Sequence, residues 1–185
     1  PLNCAPDNPG KGFCVIKKNN LKIGVINLQG RVFMPPMDCP FRAARGAIPI
    51  IKKETAIIFV DMHAEATSEK VAMGYFLDGM VSAVVGTHTH IQTADEKILP
   101  EGSAYITDLG MAGPYDSVIG QEKSKIILRF LSGIPAKFEV AGPDAQLHGV
   151  VIEVDESSGK AVSIKRVQEK LRVDKEQYII NPKSE

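Results

Sequence analysis

Two short, largely apolar runs, Ala56-Ile57-Ile58-Phe59-Val60 and Val81-Ser82-Ala83-Val84-Val85, give the clearest strand signals in this chain. Both are rich in β-branched residues and are continuous rather than alternating, as strands covered on both faces are. They predict strands over residues 55–61 and 80–85. Residues 67–77 between them read as a helix. Thr67 is a plausible N-cap, Glu69 suits the first turn, and Gly79 is placed to stop it. Val71, Tyr75 and Phe76 are expected to face inward. Strand, helix and strand make a βαβ unit with its strands parallel.

Upstream, residues 12–16 and 21–28 read as a hairpin around Lys18-Asn19-Asn20. Residues 29–41 contain Pro35, Pro36 and Pro40 and read as a loop with fixed kinks. Residues 43–53 are a weak helix candidate that Pro49 is expected to bend or restart. Downstream, Tyr105-Ile106-Thr107 is a short strand before a glycine-rich loop over 110–120. Residues 121–131 predict a helix with Ile127, Phe130 and Leu131 inward and Gly133 as its stop. Residues 137–140, 148–154 and 161–167 read as strands, the last two joined by the turn Glu156-Ser157-Ser158-Gly159. The expected fold class is α/β, a sheet-based layer structure with mixed strand directions. A single domain is expected over residues 1–170, followed by a polar tail over 171–185.

Composition narrows the function classes. Lys+Arg 22 balances Asp+Glu 22, so no global field points to nucleic acid or a membrane surface. No apolar run is long enough to span a bilayer, and the N-terminus has no signal-peptide pattern. Cys4, Cys14 and Cys39 form neither a disulfide framework nor a CxxC motif, so a reduced cytoplasm is the expected compartment. The Pro/Asn/Gly-rich opening over residues 1–10 reads as a connecting loop without an initiator Met, which suggests a start inside a domain.

Three of the four histidines follow the two firm strands. His63 lies in Asp61-Met62-His63-Ala64-Glu65, and His88 and His90 in Gly86-Thr87-His88-Thr89-His90. Strand ends are where α/β proteins gather functional groups. In extended backbone the side chains of residues 88 and 90 would point the same way, toward one volume or two adjacent metal ions. Neutral imidazole suits Zn, Fe, Mn or Co better than Ca. Asp61, Glu65 and Asp95 are candidates for orienting an imidazole N–H, with helix entry and strand-end capping as the structural alternatives. His148 reads as structural.

The strings Asp61-Met62-His63-Ala64-Glu65-Ala66-Thr67-Ser68-Glu69-Lys70, Gly86-Thr87-His88-Thr89-His90-Ile91-Gln92-Thr93-Ala94-Asp95, Thr107-Asp108-Leu109-Gly110-Met111-Ala112-Gly113-Pro114 and Val25-Ile26-Asn27-Leu28-Gln29-Gly30-Arg31-Val32-Phe33-Met34 resemble the YmdB-type bacterial metallophosphoesterases, within the calcineurin-like phosphoesterases. The resemblance covers roughly residues 12–167. It implies a two-sheet sandwich flanked by helices. It also implies two metal ions, Fe or Mn first and Zn or Mg as alternatives, and hydrolysis of phosphodiesters, notably 2′,3′-cyclic nucleotides. His63 and His88 would bind one ion and His90 the other. Gln92, Thr93, Tyr115, Asp116 and Ser117 are candidates for the substrate, with loop hydrogen bonding as the alternative.

The family's first Asp, its metal-bridging Glu and its Asn-His pair, whose His is the proposed general acid, have no counterpart here. The resemblance therefore implies an N-terminally truncated member with no general acid assigned. Three readings follow: a dinuclear phosphodiesterase acting on a small nucleotide, either alone or as a homo-oligomer; a catalytically silent metal-binding or regulatory module acting through partners; and, weakest, a mononuclear zinc amide hydrolase.

Overall fold

The computed structural model describes residues 1–171; the expected tail lies outside them except for Leu171. Two strands open the chain as a hairpin, β1 (Phe13–Lys18) and β2 (Leu21–Gln29), followed by α1 (Pro40–Ile51), β3 (Ile58–His63), α2 (Thr67–Leu77) and β4 (Ala83–Thr87). Then come β5 (Lys97–Ile98), β6 (Ala104–Ile106), β7 (Ala112–Pro114), α3 (Lys123–Ser132), β8 (Ala145–Val154) and β9 (Ala161–Lys170). The strands form a six-stranded sheet in the order β1-β2-β3-β4-β6-β5 and a three-stranded sheet in the order β7-β8-β9. The expected fold class, α/β with two sheets and helices, is what the molecule shows.

Contacts divide the chain into two compact units. The first holds Pro1–Ala112 and His148–Val167, the second Gly113–Leu147 and the described residues from Gln168 onward.

In the first unit, β2, β3, β4 and β6 run parallel, with β1 and β5 antiparallel at the edges. Alternation along the central strands sorts their side chains by face. Ile26, Leu28, Ile58, Val60, Met62 and Val84 pack with Ala44, Ile48 and Ile51 of α1 and Met73 and Leu77 of α2 in one buried core. On the opposite face, Phe59, Ala83 and Ala104 meet Ala161, Ile152 and Ile164. Small alanines there let the β8 and β9 side chains approach the sheet closely. This second face also carries Asn27, Asp61, His63 and Thr87, so alternation sets polar groups beside an apolar pack at the strand C-ends.

Several expectations need correction. α1 starts at Pro40, whose fixed φ suits the first helical position, and continues through Pro49 to Ile51. α2 has the expected span, but its N-cap is Ala66 and Thr67 caps nothing. Its inward face is Glu69, Lys70, Met73, Gly74 and Leu77; Tyr75 and Phe76 are exposed. In α3 the buried residue is Ile126, while Ile127, Phe130 and Leu131 are exposed. Periodicity locates an apolar stripe without saying what covers it. Residues 137–140 form only an isolated bridge, Gln121 to Val140. Pro135 on one side, and Gly142 and Pro143 on the other, leave little room for a ladder.

Candidate functional site

Parallel register brings the polar residues into line. Asn27 is paired with Asp61, Gln29 with His63, and His63 with Thr87. Side chains paired this way share a face. Asn27 Nδ2 donates to Asp61 Oδ2 at 2.7 Å, and Thr87 Oγ1 donates to Asp61 Oδ1 at 2.7 Å. Thr87 has one hydroxyl proton, and Asp61 receives it. The same oxygen lies 3.1 Å from His63 Nδ1 and must therefore accept from it. This assigns the proton of neutral His63 to Nδ1 and leaves Nε2 as a lone pair.

His88 is fixed from its other side. Its Nε2 lies 3.0 Å from Glu65 Oε2, which can only accept when ionised. Neutral His88 then presents Nδ1 as a lone pair. That Nδ1 stands 3.1 Å from His63 Nε2, with the two rings edge to face at 4.8 Å between centroids. Two lone pairs so close repel each other unless a proton or a cation lies between them. Nitrogens bound to one ion at about 2.0–2.1 Å stand about 3 Å apart at a right-angled or tetrahedral edge, so the pair fits one edge of a metal's ligand shell. Burial lowers the pKa of His63 below its ordinary value; neighbouring His88 and Lys70 add to the lowering, while Asp61 and Asp108 oppose it. A neutral ring is the form that binds a cation.

Among the described residues, no group of three His, Cys, Asp or Glu side chains gathers at metal-binding spacing. His90 is exposed and lies outside the His63–His88 pair. The extended backbone expected for residues 88–90 is absent, because φ is 109° at His88 and 67° at His90. The alternation argument therefore does not apply to the two histidines.

Asp61 and Glu65 do orient imidazoles, Asp61 through Thr87 and Glu65 directly. Asp95 bonds elsewhere, to Thr93 Oγ1 and to the Thr107 amide and hydroxyl. Gln92 donates to the carbonyls of Gly149 and Val167, and Thr93 Oγ1 accepts from the Asp108 amide. Both side chains thus brace the loop after His90. Tyr115, Asp116 and Ser117 belong to the second unit. There Asp116 pairs with Lys123, and Ser117 Oγ donates to the Pro114 carbonyl and accepts from the Gly120 amide. His148 has its pKa lowered by burial.

Sequence reading passes over Asn27, Thr87, Glu69, Lys70 and Asp108 as site residues. Thr87 and Asn27 are identifiable once register is known. Lys70 and Asp108 form an ion pair at 2.8 Å with both side chains fully buried, an arrangement that no local pattern announces.

A family model described as YmdB-like protein matches residues 1–167. The chain belongs to the YmdB-like family. It is 53% identical over 167 residues to the 2′,3′-cyclic-nucleotide 2′-phosphodiesterase of Bacillus subtilis strain 168, covering 90% of this chain and 63% of that protein. A crystal structure of a hypothetical protein from Thermus thermophilus superposes with TM-score 0.85 at 40% identity, covering 92% of this chain and 66% of that one. The crystal structure of a novel phosphatase from Mycoplasma pneumoniae gives TM-score 0.83 at 40% identity, covering 92% and 62%. The chain thus spans slightly under two-thirds of the length of these YmdB-like relatives.

Proposed function

We propose that this chain carries the histidine part of a metal-dependent phosphodiesterase site that acts on 2′,3′-cyclic nucleotides. The observation that carries the reading is the His63–His88 pair, whose Nε2 and Nδ1 face each other at 3.1 Å. Their tautomers are set from behind by the Asp61–Thr87 bond and by Glu65. Identity to the Bacillus subtilis phosphodiesterase supports the substrate class. In this reading His63 and His88 hold one ion and His90 helps to hold a second, with Fe or Mn favoured and Zn or Mg as alternatives. Such ions supply charge against phosphoryl oxygens and lower the pKa of water near phosphorus. The chain's own groups orient the imidazoles: Thr87 accepts from His63 Nδ1, and Glu65 accepts from His88 Nε2. No residue is assigned as general acid, and the cytoplasm is the proposed compartment.

A second reading is favoured by one observation: among the described residues no three-ligand cluster forms. A chain with two converged imidazoles would bind a cation weakly and act through partners without turnover. Hydrolysis of 2′,3′-cyclic AMP with added Mn²⁺, beside His63→Ala and His88→Ala, separates the two. Turnover that both substitutions abolish supports the enzyme. Mn²⁺ binding that both abolish, without any turnover, supports the silent module. Turnover unchanged in both variants would sink the site itself.

A further inference from the structure

His88 and His90 are both held in backbone that L-residues rarely adopt, with φ of 109° and 67°. Such strain persists only where the surroundings impose it. The residue between them, Thr89, shows how. Its amide donates to Asp108 Oδ2 at 3.0 Å. The same oxygen accepts from Lys70 Nζ at 2.8 Å, while Asp108 Oδ1 accepts from the Gly110 amide at 2.9 Å. Both charged side chains are fully buried.

The surroundings are tightly packed. The Leu109 amide donates to the Gly86 carbonyl at 2.9 Å. A Cβ at Gly86 would lie 1.7 Å from the Thr107 carbonyl oxygen and 2.8 Å from Lys70 Cδ. The end of β4, the segment from Thr107 to Gly110 and the Lys70 stem from α2 are thereby pressed against one another.

We infer that Lys70 and Asp108 are positioning residues: the buried ion pair holds an ionised carboxylate under Thr89 and so sets the backbone that presents His88 and His90. This rests on the proposed role of those histidines. A buried ion pair is poor evidence for stability, because well-packed apolar residues of like volume are often as stable. An apolar pair, however, cannot accept the amides of Thr89 and Gly110. Lys70 supplies a countercharge 2.8 Å from the Asp108 carboxylate away from solvent, and a charged acceptor binds amides more strongly than a neutral one. The device spans α2, the end of β4 and the loop after β6, so none of these can shift without disturbing the histidines.

The test compares the wild-type chain with Asp108→Asn and with the double variant Lys70→Met/Asp108→Leu. Three readouts are taken: the thermal midpoint, the amide resonance of Thr89 with the imidazole resonances of all four histidines, and Mn²⁺ affinity by calorimetry. The double variant is expected to fold with a lowered midpoint, because the Thr89 and Gly110 amides lose their charged acceptor. Its Thr89 amide should move upfield, and the His88 and His90 resonances should shift while that of His148 stays. Mn²⁺ affinity should fall about 10- to 100-fold, the usual effect of losing a group behind a ligand. Asp108→Asn should show the same spectral changes with a lowered midpoint. A folded variant of either kind with wild-type Thr89, His88 and His90 resonances would overturn the inference. If the wild-type chain itself binds no Mn²⁺, the metal reading fails, but the spectra still decide whether the clamp exists.

Discussion

Thr87 gives its hydroxyl proton to Asp61 at 2.7 Å, and that single bond decides what His63 meets. With the proton committed, the Thr87 oxygen can only accept from His63 Nδ1, and the lone pair on His63 Nε2 is left for the site. Asp61 is held in turn by Asn27 at 2.7 Å, its register partner on the neighbouring strand. Orientation is thus built into the sheet, strand by strand, rather than left to a flexible loop.

Thr87→Val keeps the shape of this residue and removes the bridge. Asp61 loses one donor, and His63 Nδ1 loses its acceptor. We expect Mn²⁺ affinity to fall about 10-fold or more, with a stability loss of about 1–2 kcal/mol from the unpaired groups. Calorimetric titration and urea unfolding check both. Unchanged affinity with reduced stability would mean that the bridge only supports the fold.

Glu69 makes a second prediction. It lies in the first turn of α2, buried, and both its oxygens accept from the Arg31 amide while Oε2 also accepts from the Val32 amide. A Cβ at Gly30 would come within 2.6 Å of the same oxygen, so this loop is built around the carboxylate. Glu69→Ala leaves two backbone amides without their charged acceptor and should cost about 2–3 kcal/mol. Urea unfolding of the variant measures the loss, and a cost below about 0.5 kcal/mol, the range of ordinary surface changes, would refute it.

Glu69 also shows where the sequence is legible and where it is not. The hairpin, the βαβ unit and the placing of His63 and His88 at strand ends are readable from short apolar runs and the glycines beyond them. The inward face of α2 is not, because it is partly ionic: Glu69 and Lys70 point in while Tyr75 and Phe76 point out. A rule that sorts apolar from polar turns such a helix the wrong way round. Asp61 and Glu65 stand out by their nearness to His63 in the chain, whereas Thr87 becomes visible only when parallel pairing sets it beside His63. The backbone at His88 and His90 is unreadable for a further reason: Asp108, which holds the peptide between them, lies 19 residues beyond Thr89.

Gly74→Ala sets two rules against each other. In a helix interior, alanine is favoured over glycine by about 1 kcal/mol. Here a Cβ would stand 2.5 Å from Tyr105 Cδ2 and 2.8 Å from Cε2, against a ring that is fully buried. Overpacking costs about 1–3 kcal/mol and should win, leaving a net loss of up to about 2 kcal/mol. Denaturant unfolding gives the sign directly; a more stable variant would show that the ring yields.

Tyr105 makes stability depend on alkaline pH. Burial pushes its phenol up to about 12, although a 2.9 Å bond with Thr107 Oγ1 acts the other way. In the unfolded chain a tyrosine ionises near pH 10. Below that pH both states hold the proton, and the contribution is fully present. Between about pH 10 and 12 the unfolded chain releases the proton while the folded one keeps it, so stability falls as pH rises, by on the order of 2 kcal/mol from this residue. Tyr105→Phe should be about 1 kcal/mol less stable at pH 8, for want of the Thr107 bond. It should lose less between pH 10 and 12, so the two stability curves converge or cross. Urea midpoints from pH 8 to 12, with phenolate absorbance followed alongside, give the comparison. Parallel curves would mean that Tyr105 ionises freely in the folded protein.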